Sequence, residues 1–182
     1  MNKHLLIKTG ITISFVSFLA ISVKLLSAEE QHENQDDLCA GKTYNGAWFD
    51  VRVPEGFTVQ PSLLSVSNEG YDSVWLRSHD GGFDLYIYSP QWSGEPSDVL
   101  DDPQISGITE NTQINDHGTV TEVTVIAREI AYKNGQYGKF TSNQTIHNNH
   151  LTTGYRLSNQ TLSESQNQIH RCFLQSIQQY AD

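Results

Sequence analysis

Ser73-Val74-Trp75-Leu76-Arg77-Ser78-His79-Asp80-Gly81-Gly82-Phe83-Asp84-Leu85-Tyr86-Ile87-Tyr88 is the stretch whose reading decides the fold. Val74 and Leu76, then Phe83, Leu85 and Ile87, recur at every second position, the period of a strand with one face in a core. Asp80-Gly81 lies between the two runs, and both residue types tolerate positive φ, so the segment reads as an antiparallel hairpin. By strand parity Tyr86 and Tyr88 point away from Leu85 and Ile87. With Tyr71, Trp75 and Trp92 they form an aromatic group in or beside the hairpin. Amphipathic aromatics bury large areas at low entropy cost, so this group is a candidate partner-binding surface, the alternative being a sheet covered on both faces.

Similar signals lie on either side. Phe49, Val51 and Val53 alternate with Asp50 and Arg52, and Pro54-Glu55-Gly56 makes a turn before Phe57, Val59 and Pro61. Further on, Val120, Val123, Val125, Ile126 and Ile130 form a β-branched run that Asn134-Gly135 turns back into Tyr137 to Ile146. His147-Asn148-Asn149-His150 then connects to Leu151 to Leu157. Between these halves, Ser89 to Asp116 is interrupted by Pro90, Gly94, Pro96, Pro103 and Gly107, with room for a short helix from Ser97 to Leu100. The last segment has a different period. Ser163 and Gln166 have the spacing of a capping box, and Ile169, Cys172, Phe173, Ile177 and Tyr180 share one helical face. The expected class is α+β: an antiparallel meander of about six strands with a C-terminal amphipathic helix packed on it.

The first residues read as a secretory signal peptide. Lys3, His4 and Lys8 are basic, Ile11 to Val23 is apolar, and Leu26-Ser27-Ala28 supplies a small residue before Glu29-Glu30. Lys8 and Lys24 bracket about 15 residues, short of the roughly 20 that span a bilayer as a helix. The expected organisation is therefore signal peptide at 1–28, acidic leader at 29–37 and one α+β domain at 38–182, secreted or periplasmic, with no stable membrane insertion after cleavage. The chain carries 11 Lys and Arg against 21 Asp and Glu, a net −10. Cleavage after Ala28 removes three lysines and no acid, taking the charge to about −13. Such acidity excludes a nucleic-acid partner held by clustered cations and suits a basic protein partner. In an oxidising compartment Cys39 and Cys172, the only two cysteines, read as a disulfide. A loop of more than about 100 residues would contribute on the order of 4 to 5 kcal/mol in the chain-entropy model.

The stretch Trp48-Phe49-Asp50-Val51-Arg52-Val53-Pro54-Glu55-Gly56-Phe57, and the order of parts from there to Phe173-Leu174-Gln175-Ser176-Ile177, resembles the PsbP-like domains, named for an extrinsic subunit of photosystem II. The resemblance spans roughly residues 44 to 180. It implies an antiparallel sheet between helices, an α/β/α sandwich, and a mainly noncatalytic binding or assembly role. The paired cysteines and the acidic middle depart from it.

Catalytic motifs are sparse. The chain has no Gly-x-Ser-x-Gly elbow, phosphate loop, dinucleotide fingerprint or His-Glu-x-x-His, and no cofactor is expected. His147 and His150 are metal candidates for a hydrolase, but two imidazoles fall short of the three or four ligands of a zinc site, so a polar hairpin tip is the favoured reading. Glu95, Asp98, Asp101 and Asp102 offer hard oxygen ligands without the order of a Ca²⁺ loop and read as a solvated loop. The expectation is a noncatalytic binding protein, with a metal-assisted hydrolase and an inhibitor of a basic enzyme as alternatives.

Overall fold

The computed structural model describes residues 40–91, 94–116, 122–145 and 150–180. The expected signal peptide, leader and Cys39 lie outside these residues, as do Trp92 and His147. In chain order the elements are β1 (Gly41–Asn45), β2 (Phe49–Pro54), β3 (Phe57–Pro61), β4 (Ser73–Ser78), β5 (Phe83–Tyr88), α1 (Ser97–Leu100), β6 (Ile105–Asp116), β7 (Glu122–Tyr132), β8 (Tyr137–Thr145), β9 (Leu151–Leu157), α2 (Glu164–Ser176) and β10 (Gln178–Gln179). The class is α+β.

The β4–β5 hairpin forms as its sequence dictates, with Val74 opposite Ile87 and Leu76 opposite Leu85. Its turn is held by side chains. Asp80 accepts from the Gly82 amide at 3.0 Å and from the Ser78 hydroxyl at 2.6 Å, and Ser78 in turn accepts from the Phe83 amide. Gly81 sits at φ 70°, where a side chain would be strained. The Asn134-Gly135 turn works likewise, with Gly135 at φ 85° and the Asn134 side chain accepting from the Gln136 amide.

The strand arrangement differs from a simple meander of about six. The main sheet has seven antiparallel strands in the order β3-β4-β5-β9-β8-β7-β6, and a separate three-stranded sheet runs β1-β2-β10. Two meanders, β3 to β5 and β6 to β9, are joined by residues 89–104, which carry the chain to the far edge before β9 returns to pair with β5. Local signals mark hairpins but not which hairpins meet, because the β5–β9 pairing is set by burial across distant segments. β1, β6 and β10 are not expected from the sequence: β6 lies in the segment that reads as irregular and forms by pairing with β7, and β1 and β10 lack an alternating apolar pattern and exist only through pairing with β2.

Each face of the main sheet has its own core. On one, Val74, Leu76, Phe83, Leu85, Ile87 and Leu157 meet Phe49 and Val51 of β2 and Phe173 of α2. On the other, Trp75, Tyr86, Tyr88, Ile130, Tyr132 and Phe140 are covered by Val99 of α1. Gly154 of β9 makes room for that second core, because a Cβ there would lie 2.5 Å from the Phe140 ring.

The capping box of α2 is complete: Ser163 accepts from the Gln166 amide, and the Gln166 side chain accepts from the Ser163 amide. The helix ends earlier than the apolar spacing predicts. Ile177 adopts an extended conformation at its C-cap, and Tyr180 lies beyond the helix and is exposed, because residues 178–179 leave to pair with β2. No helix among the described residues is long and apolar enough to cross a membrane. Phe173 anchors the helix to the sheet, so Phe173→Ala should cost about 3 to 5 kcal/mol in denaturant unfolding, whereas Leu174→Ala, at an exposed position, should cost far less.

Candidate binding groove between the terminal helix and the sheet

Of the aromatic group singled out by the hairpin, Trp75, Tyr86 and Tyr88 are buried within the domain. Trp75, Tyr86 and Tyr88 are 5%, 0% and 7% exposed, Tyr71 is half-buried, and Trp92 lies outside the described residues. Tyr86 and Phe140 both pack on Trp75, with ring centroids 4.6 and 6.0 Å away, and Arg77 and Arg156 lie over the indole at 4.6 and 5.0 Å. The parity reading was correct about direction. What sequence could not show is that α1 and its flanks cover this face.

The acidic middle supplies the partners for that cover. Tyr86 donates to Asp98 at 2.6 Å, and Ser73 donates to the other Asp98 oxygen at 2.8 Å. Burial, reinforced by the Asp98 charge, pushes the Tyr86 phenol far above its ordinary range, so it stays a donor. Arg128, buried on β7, pairs with Glu95 at 2.9 Å and Glu110 at 2.8 Å and donates to Ser142, which shares a hydrogen bond with Thr152. Asp102 faces Arg156 at 3.7 Å, while Asp84 bridges Arg156 and Arg77. Of the four carboxylates expected in a solvated loop, Glu95, Asp98 and Asp102 are thus engaged internally, and Asp101 is exposed.

Among the described residues no group of three or more His, Cys, Asp or Glu side chains is placed to hold a metal ion. His150 is half-buried, its Nδ1 lacks a hydrogen-bond partner, and burial lowers its pKa. No cysteine among the described residues is free, Cys172 included; its expected partner lies outside them.

An open groove of about 510 Å³ lies where α2 ends on the main sheet. Its floor is Lys139, Thr141 and Asn143 of β8 with Thr153 and Tyr155 of β9. Asn167, His170 and Leu174 of α2 form the wall, and Leu162 and Ile177 close the apolar ends. The groove exists because the helix follows β9 and covers the centre of the sheet, leaving the same face of β8 without a layer among the described residues. Hydroxyls, amides and one ammonium face apolar side chains, an arrangement suited to binding through hydrogen bonds and apolar contact.

His170 is a group that the sequence pattern does not single out. Its ring stands edge-on to Tyr155 at 5.0 Å and stacks near Phe173 at 6.4 Å. Nε2 is buried with no hydrogen-bond partner, and burial lowers the pKa to about 4. The available signal was helical spacing, since His170 lies one residue from Ile169 and three from Phe173 on the covered face. No protein-family model matches the chain, and no curated protein matches it.

Protonation links these histidines to stability. His170 and His150 are held neutral in the fold, so their contribution is full above the unfolded imidazole pKa of about 6.5 and is lost as pH falls toward their folded values. Asp72, raised by burial, works the other way, favouring the fold as it protonates in the carboxylate range. The urea midpoint should therefore fall between pH 7 and pH 5, and His170→Phe should flatten that fall.

Proposed function

We propose that the protein is an exported binding protein of the cell envelope, secreted or periplasmic, that receives an extended segment of a protein partner in the groove beside α2. The groove carries this reading. Its volume of about 510 Å³ lies within the range of ligand sites, and Thr141, Asn143 and Asn167 set polar groups along a trough with apolar ends. A peptide backbone needs both kinds of contact, donors and acceptors for its amides and pockets for its side chains. The order of basic, apolar and small residues before Glu29 supports export. The resemblance to PsbP-like domains supports a binding or assembly role, and an α/β/α sandwich is the finer architecture it implies.

A net charge of about −13 after cleavage favours a basic partner segment. The charge-driven step would not use the acidic middle, whose carboxylates are mostly satisfied within the domain; it would use charges elsewhere on the surface. Thr141→Trp, which fills the floor of the groove, should abolish recovery of the partner in pull-downs from envelope extract while leaving the unfolding midpoint near wild type. Equal recovery by both proteins would place binding elsewhere. The association rate should fall steeply with added salt, and a salt-independent rate would remove the electrostatic part of the reading.

We also propose the Cys39–Cys172 disulfide as a clamp joining the start of the domain to α2. Thiol titration of the unfolded, unreduced chain should find no free thiol and, after reduction, two. Two free thiols before reduction would refute it.

A further inference from the structure

The two edges of the main sheet are unlike. β3 is five residues long and ends in Pro61, but β6 runs twelve residues, Ile105–Asp116, with no proline or lysine. A sheet edge of that length presents a row of unpaired amides and carbonyls, and natural edges are usually blunted by proline, lysine or irregularity. The one irregularity in β6 is a register shift at its start, between Ile105 and Gly107. Beyond it, strand pairing is regular from Gly107 to Asp116 against β7, leaving the outer side straight and unoccupied among the described residues. Two apolar side chains stand on this edge without cover, Ile108 at 45% and Ile114 at 65% exposure.

We propose that β6 is a self-association edge, pairing antiparallel with β6 of a second copy about a twofold axis at Asn111. The register follows from the sequence of the strand. Directly opposed residues of an antiparallel pair share a face, so a twofold pairing of β6 must match even with even and odd with odd positions. Centred on Asn111, it sets Ile108 of each copy opposite Ile114 of the other, Thr109 opposite Gln113, and Glu110 opposite Thr112. Both exposed isoleucines are covered at once, and neither carboxylate of the strand meets another. Moving the axis to Glu110 places that carboxylate opposite its own copy. Moving it to Thr112 sets Ile114 against Glu110 and Ile108 against Asp116. Like charges or mismatched pairs directly opposite one another destabilise a sheet, whereas paired β-branched residues stabilise it, so one register stands apart.

The monomer prepares the strand for this. Glu110 is neutralised by Arg128 at 2.8 Å, which removes the charge nearest the axis. Within each copy Ile108 already lies opposite Ile130 and Thr112 opposite Ile126. Pairing would extend these into rows across the seam, Ile130 to Ile108 to the second copy's isoleucine, continuing one sheet through both molecules. Residues Ser106 to Asp116 would form about ten cross-strand hydrogen bonds, the number carried by an ordinary specific interface. This inference concerns a different face from the groove beside α2 and stands whether or not that groove binds a partner.

The register can be tested by charge swap. Sedimentation equilibrium of the full chain, followed up to about 100 μM, should show a monomer–dimer equilibrium. I108K and I114E, each alone, should weaken dimerisation about tenfold by setting a charge against an isoleucine. The double variant I108K/I114E should restore it, because only the axis at Asn111 places each introduced lysine opposite an introduced glutamate. Thermal unfolding of each variant at a concentration where all are monomeric should stay cooperative and close to wild type, since Ile114 is 65% and Ile108 45% exposed. A chain that stays monomeric throughout, single variants that dimerise as well as wild type, or a double variant no better than the singles would overturn the proposal.

Discussion

The pairing of β5 with β9 is the constraint on which the rest of the domain depends. All six side chains of β5 are buried, so this strand must have a layer on each face and a neighbour on each side. β4 is supplied locally by the Asp80-Gly81 turn. The other neighbour comes from the end of the second meander, and its arrival joins two half-sheets into one of seven strands. Once that seam is closed, the segment after β9 emerges at the centre of the sheet, and α2 has only to continue in order to cover Val74, Leu85 and Leu157. The segment after β5 must reach the opposite edge, and in crossing it becomes the cover of the second face.

The crossing segment brings charge with it, and that charge is matched. Arg128 is buried in the sheet and needs partners, which Glu95 from the crossing segment and Glu110 from β6 provide. Asp98 takes two hydroxyl donors from β4 and β5, and Asp84 accepts from two arginines that flank Trp75. Glu95 and Glu110 are half-exposed, so removing either costs less than the roughly 3 to 5 kcal/mol of breaking a fully buried pair, and the intact set contributes little beyond an apolar replacement. Its effect is therefore on where the cover sits. Leu and Val contacts alone would tolerate several positions of α1, but carboxylates that must meet Arg128, Ser73 and Tyr86 admit one.

The groove and the open edge both result from uneven coverage. One helix of thirteen residues is shorter than a seven-stranded sheet is wide, so β5 and β9 are covered on the α2 side and β8 is left as a floor. Polar residues stand where the layer stops: Thr141 and Asn143 occupy the positions of β8 whose neighbours Phe140 and Ser142 point to the opposite, buried face. At the far side β6 is the edge of the sheet among the described residues. Trp75, Tyr86, Tyr88, Asp98 and Asp102, which look functional in sequence, are instead engaged within the domain.

Much of the local structure was legible. The β4–β5 and β7–β8 hairpins, the strand-like runs at Phe49 and Phe57, the short helix at Ser97 and the capped terminal helix follow from period, turn chemistry and capping, all of which act over a few residues. Parity likewise determined that Tyr86 and Tyr88 oppose Leu85 and Ile87. Whether the face they occupy is open or covered depended on a segment ten residues further on, and Asp98 reads the same in sequence whether it meets water or Tyr86. His170 escaped notice for a related reason: a histidine beside Ile169 has no local sign that its Nε2 will be buried without a partner. By itself, then, the sequence determined the alternating strands, the hairpin turns and the terminal helix, because those depend on neighbours along the chain. Only the tertiary structure decided the strand order, the second core and the groove, because burial is a property of what arrives from elsewhere.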